Sequence, residues 1–176
     1  VQNWNAAARA ATGDLLFVIA DDLFPPDNWD ETLEFLIGNQ TPASSAFALK
    51  IRDSTEDDTL LRHPIISRAF YQKYGLFDPR FKGVYCDNDF TLMAFFSSVI
   101  LDGRILAFDH QHPAQAGSYL TSRSQAKNNR SMEYSYGQMV FTTKWRFLGG
   151  IISPRDLMLF RKFPTSNFSK LLRKSS

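Results

Sequence analysis

An α/β fold is the class this sequence predicts, on three observations. A continuous apolar run, LLFVIA at 15–20, stops abruptly at Asp21-Asp22. Its length and its Val and Ile suit a strand rather than a helix. Strand-like and helix-like segments then alternate along the chain, the pattern of a sheet covered by helices. Third, 176 residues with 44% hydrophobic and 22% charged side chains fit a single packed domain rather than a disordered chain. The many aromatics, 16 Phe among them, supply core and leave some for a ligand surface.

The elements follow in order. Residues 1–12 are Ala-rich and predict a helix ending near Gly13. The run at 15–20 predicts a strand buried on both faces, as in a parallel sheet. Pro25-Pro26-Asp27 opens a helix over 27–38, closed by Gly38. A strand over 45–53 precedes a polar loop at 54–59. A short strand at 63–67 leads into a helix over 67–75 that ends in Gly75. Turn residues fill 77–85, and 87–100 reads as an amphipathic helix. Asp102-Gly103 is expected to turn the chain into a strand over 104–110. A polar stretch at 114–130 leads to a helix over 131–147, which Gly149-Gly150 breaks. No internal repeat or low-complexity linker interrupts the chain, so the organisation is one domain over 1–150 and a basic, aromatic tail over 151–176.

Charge and cysteine content narrow the partners. The net charge is only +2, which argues against nucleic acid as the partner of the molecule as a whole. The tail is different: from Lys144 onward there are eight Lys or Arg and one acid, Asp156. Such a segment can seat a protein peripherally on an anionic membrane, meet an acidic acceptor or bind nucleic acid, and a solvated helix would look the same. Cys86 is the single cysteine, so no intrachain disulfide forms, which is compatible with a cytoplasmic setting. No apolar run approaches the roughly 18 residues that span a bilayer, and no signal peptide is visible. The chain opens at Val1 within a helical pattern, which points to a fragment or a processed product.

Four groups of residues can carry chemistry. Asp21 and Asp22 sit directly after the buried strand, where open α/β sheets place ligand sites. Adjacent carboxylates repel and are costly to desolvate, and a divalent cation relieves that cost; hard oxygen ligands suit Mg²⁺ or Mn²⁺. The pair would equally serve to end the strand and cap the next helix. Asp87 and Asp89 open a helix at i and i+2, so they do not share a face. One can point into a cleft as a general base while the other caps, although capping alone also accounts for Asp87. His110 and His112 stand at a strand end with spacing that places both on one face of a strand; either can complete a metal site, or both can be surface loop residues. Arg9, on the first helix with Asn5, can reach a phosphate or pair on the surface. His63 precedes Pro64 with no partner nearby in sequence and reads as structural.

In order, these features form a pattern. The run NAAARAATGDLLFVIADDLFPPDNW resembles the middle of family 2 glycosyltransferases, in which an Asn-rich helix and an Ala-x-Gly-Asp/Glu step lead to a hydrophobic strand and an Asp-x-Asp metal motif. Asn5, Ala11, Gly13 and Asp14 match the lead-in. Ala20 stands where the first motif acid is usual, and Asp22 falls on the second. The run HPIISRAFYQKYGLFDPRFKGVYCDNDFTLMAF resembles the acceptor-side block of the family, with Gly75, Phe77, Asp78 and Phe81 matching and Cys86 replacing the usual Glu. FDHQHP resembles the segment that carries a metal-binding His.

The resemblance covers about residues 3–115 and implies a GT-A-like, Rossmann-like mixed sheet flanked by helices, without the N-terminal nucleotide-binding strands of the family. It implies an inverting, metal-dependent transfer of a sugar from a nucleotide-diphosphate donor to a hydroxyl of a saccharide or lipid-linked acceptor. Asp22 and His110, with His112 as the alternative, would hold Mg²⁺ or Mn²⁺. Asp87 would be the catalytic base, and Asp21, Asn5, Arg9 and Asp89 would lie around the donor. Two rival expectations stand beside it: a non-catalytic remnant that binds a partner or self-associates, and a metal-dependent nucleotidyl or phosphoryl enzyme using the same acids.

Overall fold

The computed structural model describes residues 1–40, 45–53, 60–97, 100–111 and 131–146. The chain runs α1 (Gln2–Ala10), β1 (Leu15–Phe17), β2 (Leu23–Phe24), α2 (Trp29–Gln40), β3 (Ala48–Arg52), β4 (Ile65–Ser67), α3 (Arg68–Tyr74), α4 (Cys86–Phe96), β5 (Ile100–Ala107), β6 (Asp109–His110) and α5 (Ser131–Lys144). Four strands form a mixed sheet in the order β1-β4-β3-β5, and β2 and β6 form a separate two-stranded ribbon. Within the main sheet, β3 and β5 are parallel, while β4 runs antiparallel to both β1 and β3.

Period-two alternation divides the core between the two faces. Leu16, Ala48 and Ile66 pack with Phe70, Phe77 and Phe90 from the α3–α4 side. Leu49, Ile51 and Ile65 point the other way, to Leu33 and Leu36 of α2 and to Leu106 and Phe108. A third cluster joins α4 to α5 through Phe81, Leu92, Phe141 and Trp145. The class is therefore α/β with a mixed sheet flanked by helices.

Local chemistry sets the element boundaries. Ser67 Oγ accepts from Phe70 N at 3.1 Å, capping α3, and also from Phe47 N at 3.0 Å. Gly75 ends α3 with φ +76°, where a β-carbon would be strained. Gly38 lies inside α2 rather than closing it.

Two strands differ from the sequence expectation. The run at 15–20 is not a parallel strand buried on both faces. Only Leu15–Phe17 pairs, antiparallel to β4, and Leu15 and Ile19 are 40% and 41% exposed. Pro64 is the reason: its carbonyl accepts from Val18 N at 3.1 Å, but it has no N–H to return, so the ladder stops. The second difference is at Asp102-Gly103, which lies within β5 and does not turn the chain. Gly103 pairs with Ile51 in the parallel ladder, and a β-carbon there would come within 2.7 Å of Leu49 Cγ. The glycine signals a close approach between side chain and strand, which mimics a turn signal in sequence. Among the described residues, no helix is long and apolar enough to cross a membrane; the tail lies outside them.

Candidate active site

The site begins with an irregularity in a ladder. β3 and β5 are in register through Ile51↔Gly103, and the next paired residues are Arg52↔Ala107. The slip lets β5 bulge and then return to β3, where Phe108 N donates to Arg52 O at 2.9 Å. The chain leaving β5 thus crosses the end of β3 and continues as β6. There β6 pairs with β2, with Leu23 opposite His110 and Gln111 N donating to Asp22 O at 2.8 Å. This ribbon is what brings Asp22 and His110 together: His110 Nε2 is 3.4 Å from Asp22 Oδ1.

The other nitrogen of His110, Nδ1, lies 3.1 Å from the main-chain oxygen of Asp53. A carbonyl only accepts, so Nδ1 carries the proton and donates. Nε2 is the ring atom presented to Asp22. A histidine whose Nδ1–H is held by a carbonyl and whose Nε2 faces a carboxylate has the arrangement expected of a metal-ligating imidazole.

Asp53 is a centre in its own right. It is 1% exposed. Its Oδ2 accepts from His63 Nδ1 at 2.9 Å and its Oδ1 from Lys50 Nζ at 3.1 Å, with Arg62 Nη1 at 3.8 Å. Burial pushes this carboxyl upward, but the hydrogen bonds from His63 and Lys50 and their charge outweigh it and lower its pKa to about 2. His63 in turn sets its ring edge-to-face on His110, with centroids 5.1 Å apart.

Asp87 approaches from α4. Thr91 Oγ donates to Asp87 O at 2.7 Å and accepts from Leu61 N at 2.8 Å. One hydroxyl therefore ties the loop that carries Arg62 and His63 to the turn of α4 that carries Asp87. The Asp87 carboxylate is half-buried and crowded by protein atoms. Desolvation raises its pKa above the ordinary carboxylate range, against the Asn88 amide and the positive charge of Arg62. A carboxyl shifted upward is better matched to taking a proton near neutral pH than an ordinary one. Its neighbour Cys86 is pushed up to about 12, chiefly by burial, and is an inert thiol.

The remaining candidates fall elsewhere. Asp21 is exposed in the turn beside Asp22. Asn5 is committed to the fold: Nδ2 donates to Phe77 O at 2.7 Å and Oδ1 accepts from Phe77 N at 3.1 Å. Both ends of the amide thus hold the loop after α3. Asp89 also holds the fold together. It is 3% exposed and takes Lys144 Nζ at 2.9 Å and Trp145 Nε1 at 2.8 Å, so its carboxylate anchors α5. Arg9 is exposed in the last turn of α1. His112 lies outside the described residues.

Asp53 and His63 are the residues that sequence reasoning missed. Asp53 carried a usable signal, an acid closing a strand just as Asp21-Asp22 follow theirs. His63 carried none, because its partners are Asp53, just past the end of β3, and His110 on β6. No group of three or more His, Cys, Asp or Glu side chains is gathered for a metal among the described residues. Asp22 and His110 would supply two ligands. That fits an ion completed by substrate phosphates and water, as Mg²⁺ sites commonly are. Compared with known protein families, with known proteins and with solved structures, the chain finds no match.

Proposed function

We propose that this protein is a GT-A-like glycosyltransferase that moves a sugar from a nucleotide-diphosphate donor to an acceptor hydroxyl with inversion. The observation that carries the reading is the meeting of Asp22 Oδ1 and His110 Nε2 at 3.4 Å. A carboxylate oxygen and an imidazole nitrogen this close call for positive charge between them, a proton on Nε2 or a metal ion, and the same two atoms can ligate a divalent cation. The resemblance of the two sequence blocks to family 2 glycosyltransferases supplies the reaction class, and the mixed α/β sheet is compatible with it.

Asp22 and His110 would hold Mg²⁺ or Mn²⁺, which when bound neutralises the departing diphosphate. Asp87, made more basic by its surroundings, takes the proton of the acceptor hydroxyl. The freed oxygen forms a bond to the anomeric carbon from the face opposite the diphosphate, and the bond to the diphosphate oxygen breaks. Arg62, 3.8 Å from Asp53 and close enough to act on Asp87, adds positive charge beside the acid.

The test is incubation of the full chain with UDP- and GDP-sugars and Mn²⁺. Release of nucleoside diphosphate, lost in Asp22→Ala and Asp87→Asn, is the expected result. Release of nucleoside monophosphate would assign the acids to nucleotidyl or phosphoryl transfer instead. Calorimetry with no metal-dependent heat for any donor would remove the enzyme reading altogether.

A further inference from the structure

We propose that Asp53 and His63 form a positioning pair that locks His110 in one tautomer and one ring orientation, with Nε2 turned to Asp22. The inference rests on the proposed site, to which it adds two residues not otherwise assigned a role. Neither is called catalytic: both act through His110.

Asp53 holds two imidazoles with two different groups. Its carboxylate takes Nδ1 of His63 at 2.9 Å, and its main-chain carbonyl takes Nδ1 of His110 at 3.1 Å. Both acceptors lack hydrogen, so both rings carry their proton on Nδ1. The terminal torsion of a histidine is broad and roughly two-fold, so one hydrogen bond from a main-chain carbonyl is weak insurance against a ring flip. The edge-to-face wall of His63, at 5.1 Å and 88°, narrows that freedom. Lys50 fixes Asp53 from behind: its Nζ donates to Asp53 Oδ1 at 3.1 Å and to Leu60 O at 2.7 Å, tying the two ends of the loop between β3 and β4. The side chain of His63 is only 12% exposed, so its ring is a wall set inside the protein rather than a surface group. Outer partners that fix the tautomer of a ligating histidine are worth 10–100-fold in metal affinity, on the order found when such partners are removed.

The experiment is a long-range proton–nitrogen correlation spectrum of the full ¹⁵N-labelled chain at mildly alkaline pH, where unperturbed imidazoles are neutral. The expected wild-type pattern for His110 is a protonated Nδ1 and a bare Nε2. A protonated Nε2 in the wild type would overturn the proposal at once, without any variant. His63→Ala removes both the ring wall and the donor to Asp53; Asp53→Asn keeps the main-chain carbonyl and removes the carboxylate. In both, the His110 nitrogens are expected to move toward the averaged values of exchanging tautomers. Mn²⁺ affinity read by electron paramagnetic resonance is expected to fall about 10–100-fold. His63→Phe, which retains a ring at the wall, should recover part of the wild-type pattern. A purely structural role would lower the denaturation midpoint of both variants and leave the His110 nitrogens of the folded fraction where they were; that result sinks the proposal. Failure of the sugar-transfer reading looks different: wild-type protein with the expected tautomer and no Mn²⁺ binding.

Discussion

A carboxyl that must accept a proton burdens the fold that carries it. Asp87 is raised chiefly by desolvation, so at neutral pH its ionised form is less comfortable in the folded chain than in the unfolded one. Asp87→Asn removes that burden while keeping the shape. The expected outcome is a variant more stable by about 0.5–2 kcal/mol, by the trade seen at strained active sites, and slower in transfer by about 10²–10⁴-fold. Thermal melts and initial rates measure the two effects on the same sample. Asp53 behaves in the opposite sense. Its folded pKa is lowered from 3.8 to about 2, so its ionised form stabilises the fold at any pH above about 4. That stability, on the order of 2 kcal/mol from the size of the shift, is lost as pH falls from about 4 through about 2. Urea midpoints followed across this window are expected to drop for the wild type. The drop should be smaller in Asp53→Asn, which starts less stable and has no carboxylate left to protonate.

Elements were legible where a local rule decided them and illegible where a distant partner did. Ser67 and Gly75 mark the ends of α3 because capping and left-handed backbone are properties of the residues themselves. The extent of β1 is set instead by Pro64, just before β4, and Gly103 lies within β5 at a close approach to Leu49. The helix now seen as α5 was visible in the sequence, but not the manner of its docking. Two features dock it: the Asp89 carboxylate gripping Lys144 and Trp145, and a close approach at Gly137, where a β-carbon would sit 2.8 Å from Val84 O. A backbone oxygen cannot give way as a flexible side chain would. Gly137→Ala is therefore expected to destabilise the protein by about 1–3 kcal/mol through overpacking, even though alanine favours the helix by about 1 kcal/mol. Chemical denaturation of the two proteins checks the sign, and a more stable variant would show that α5 is not held against Val84.

At the scale of the whole molecule, Asp22, Asp53 and His110 come from three separate segments and depend on one topological event, while Asp87 is placed separately through Thr91. The chain leaves β5, crosses the end of β3 and pairs with β2. Candidate acids were readable in the sequence because they end strands or open helices; their mutual distances were not, because β2 and β6 have only two residues each and leave almost no periodic signal. An ion bound across that ribbon would clamp it, since Asp22 flanks β2 and His110 belongs to β6. A ligand bound only by the folded state stabilises it by about 2.7 kcal/mol at a hundred times its dissociation constant. Mn²⁺ with a nucleoside diphosphate is therefore expected to raise the melting temperature more than either component alone, because each supplies ligands the other needs. Asp22→Ala and His110→Ala should each abolish the synergy; Asp22→Ala should leave the melting temperature without ligand close to that of the wild type, its side chain being 25% exposed, whereas His110→Ala should lower it, its side chain being 12% exposed and bonded to the Asp53 carbonyl. Synergy that survives in both variants would place the diphosphate elsewhere on the protein, and with it the chemistry assigned to this ribbon.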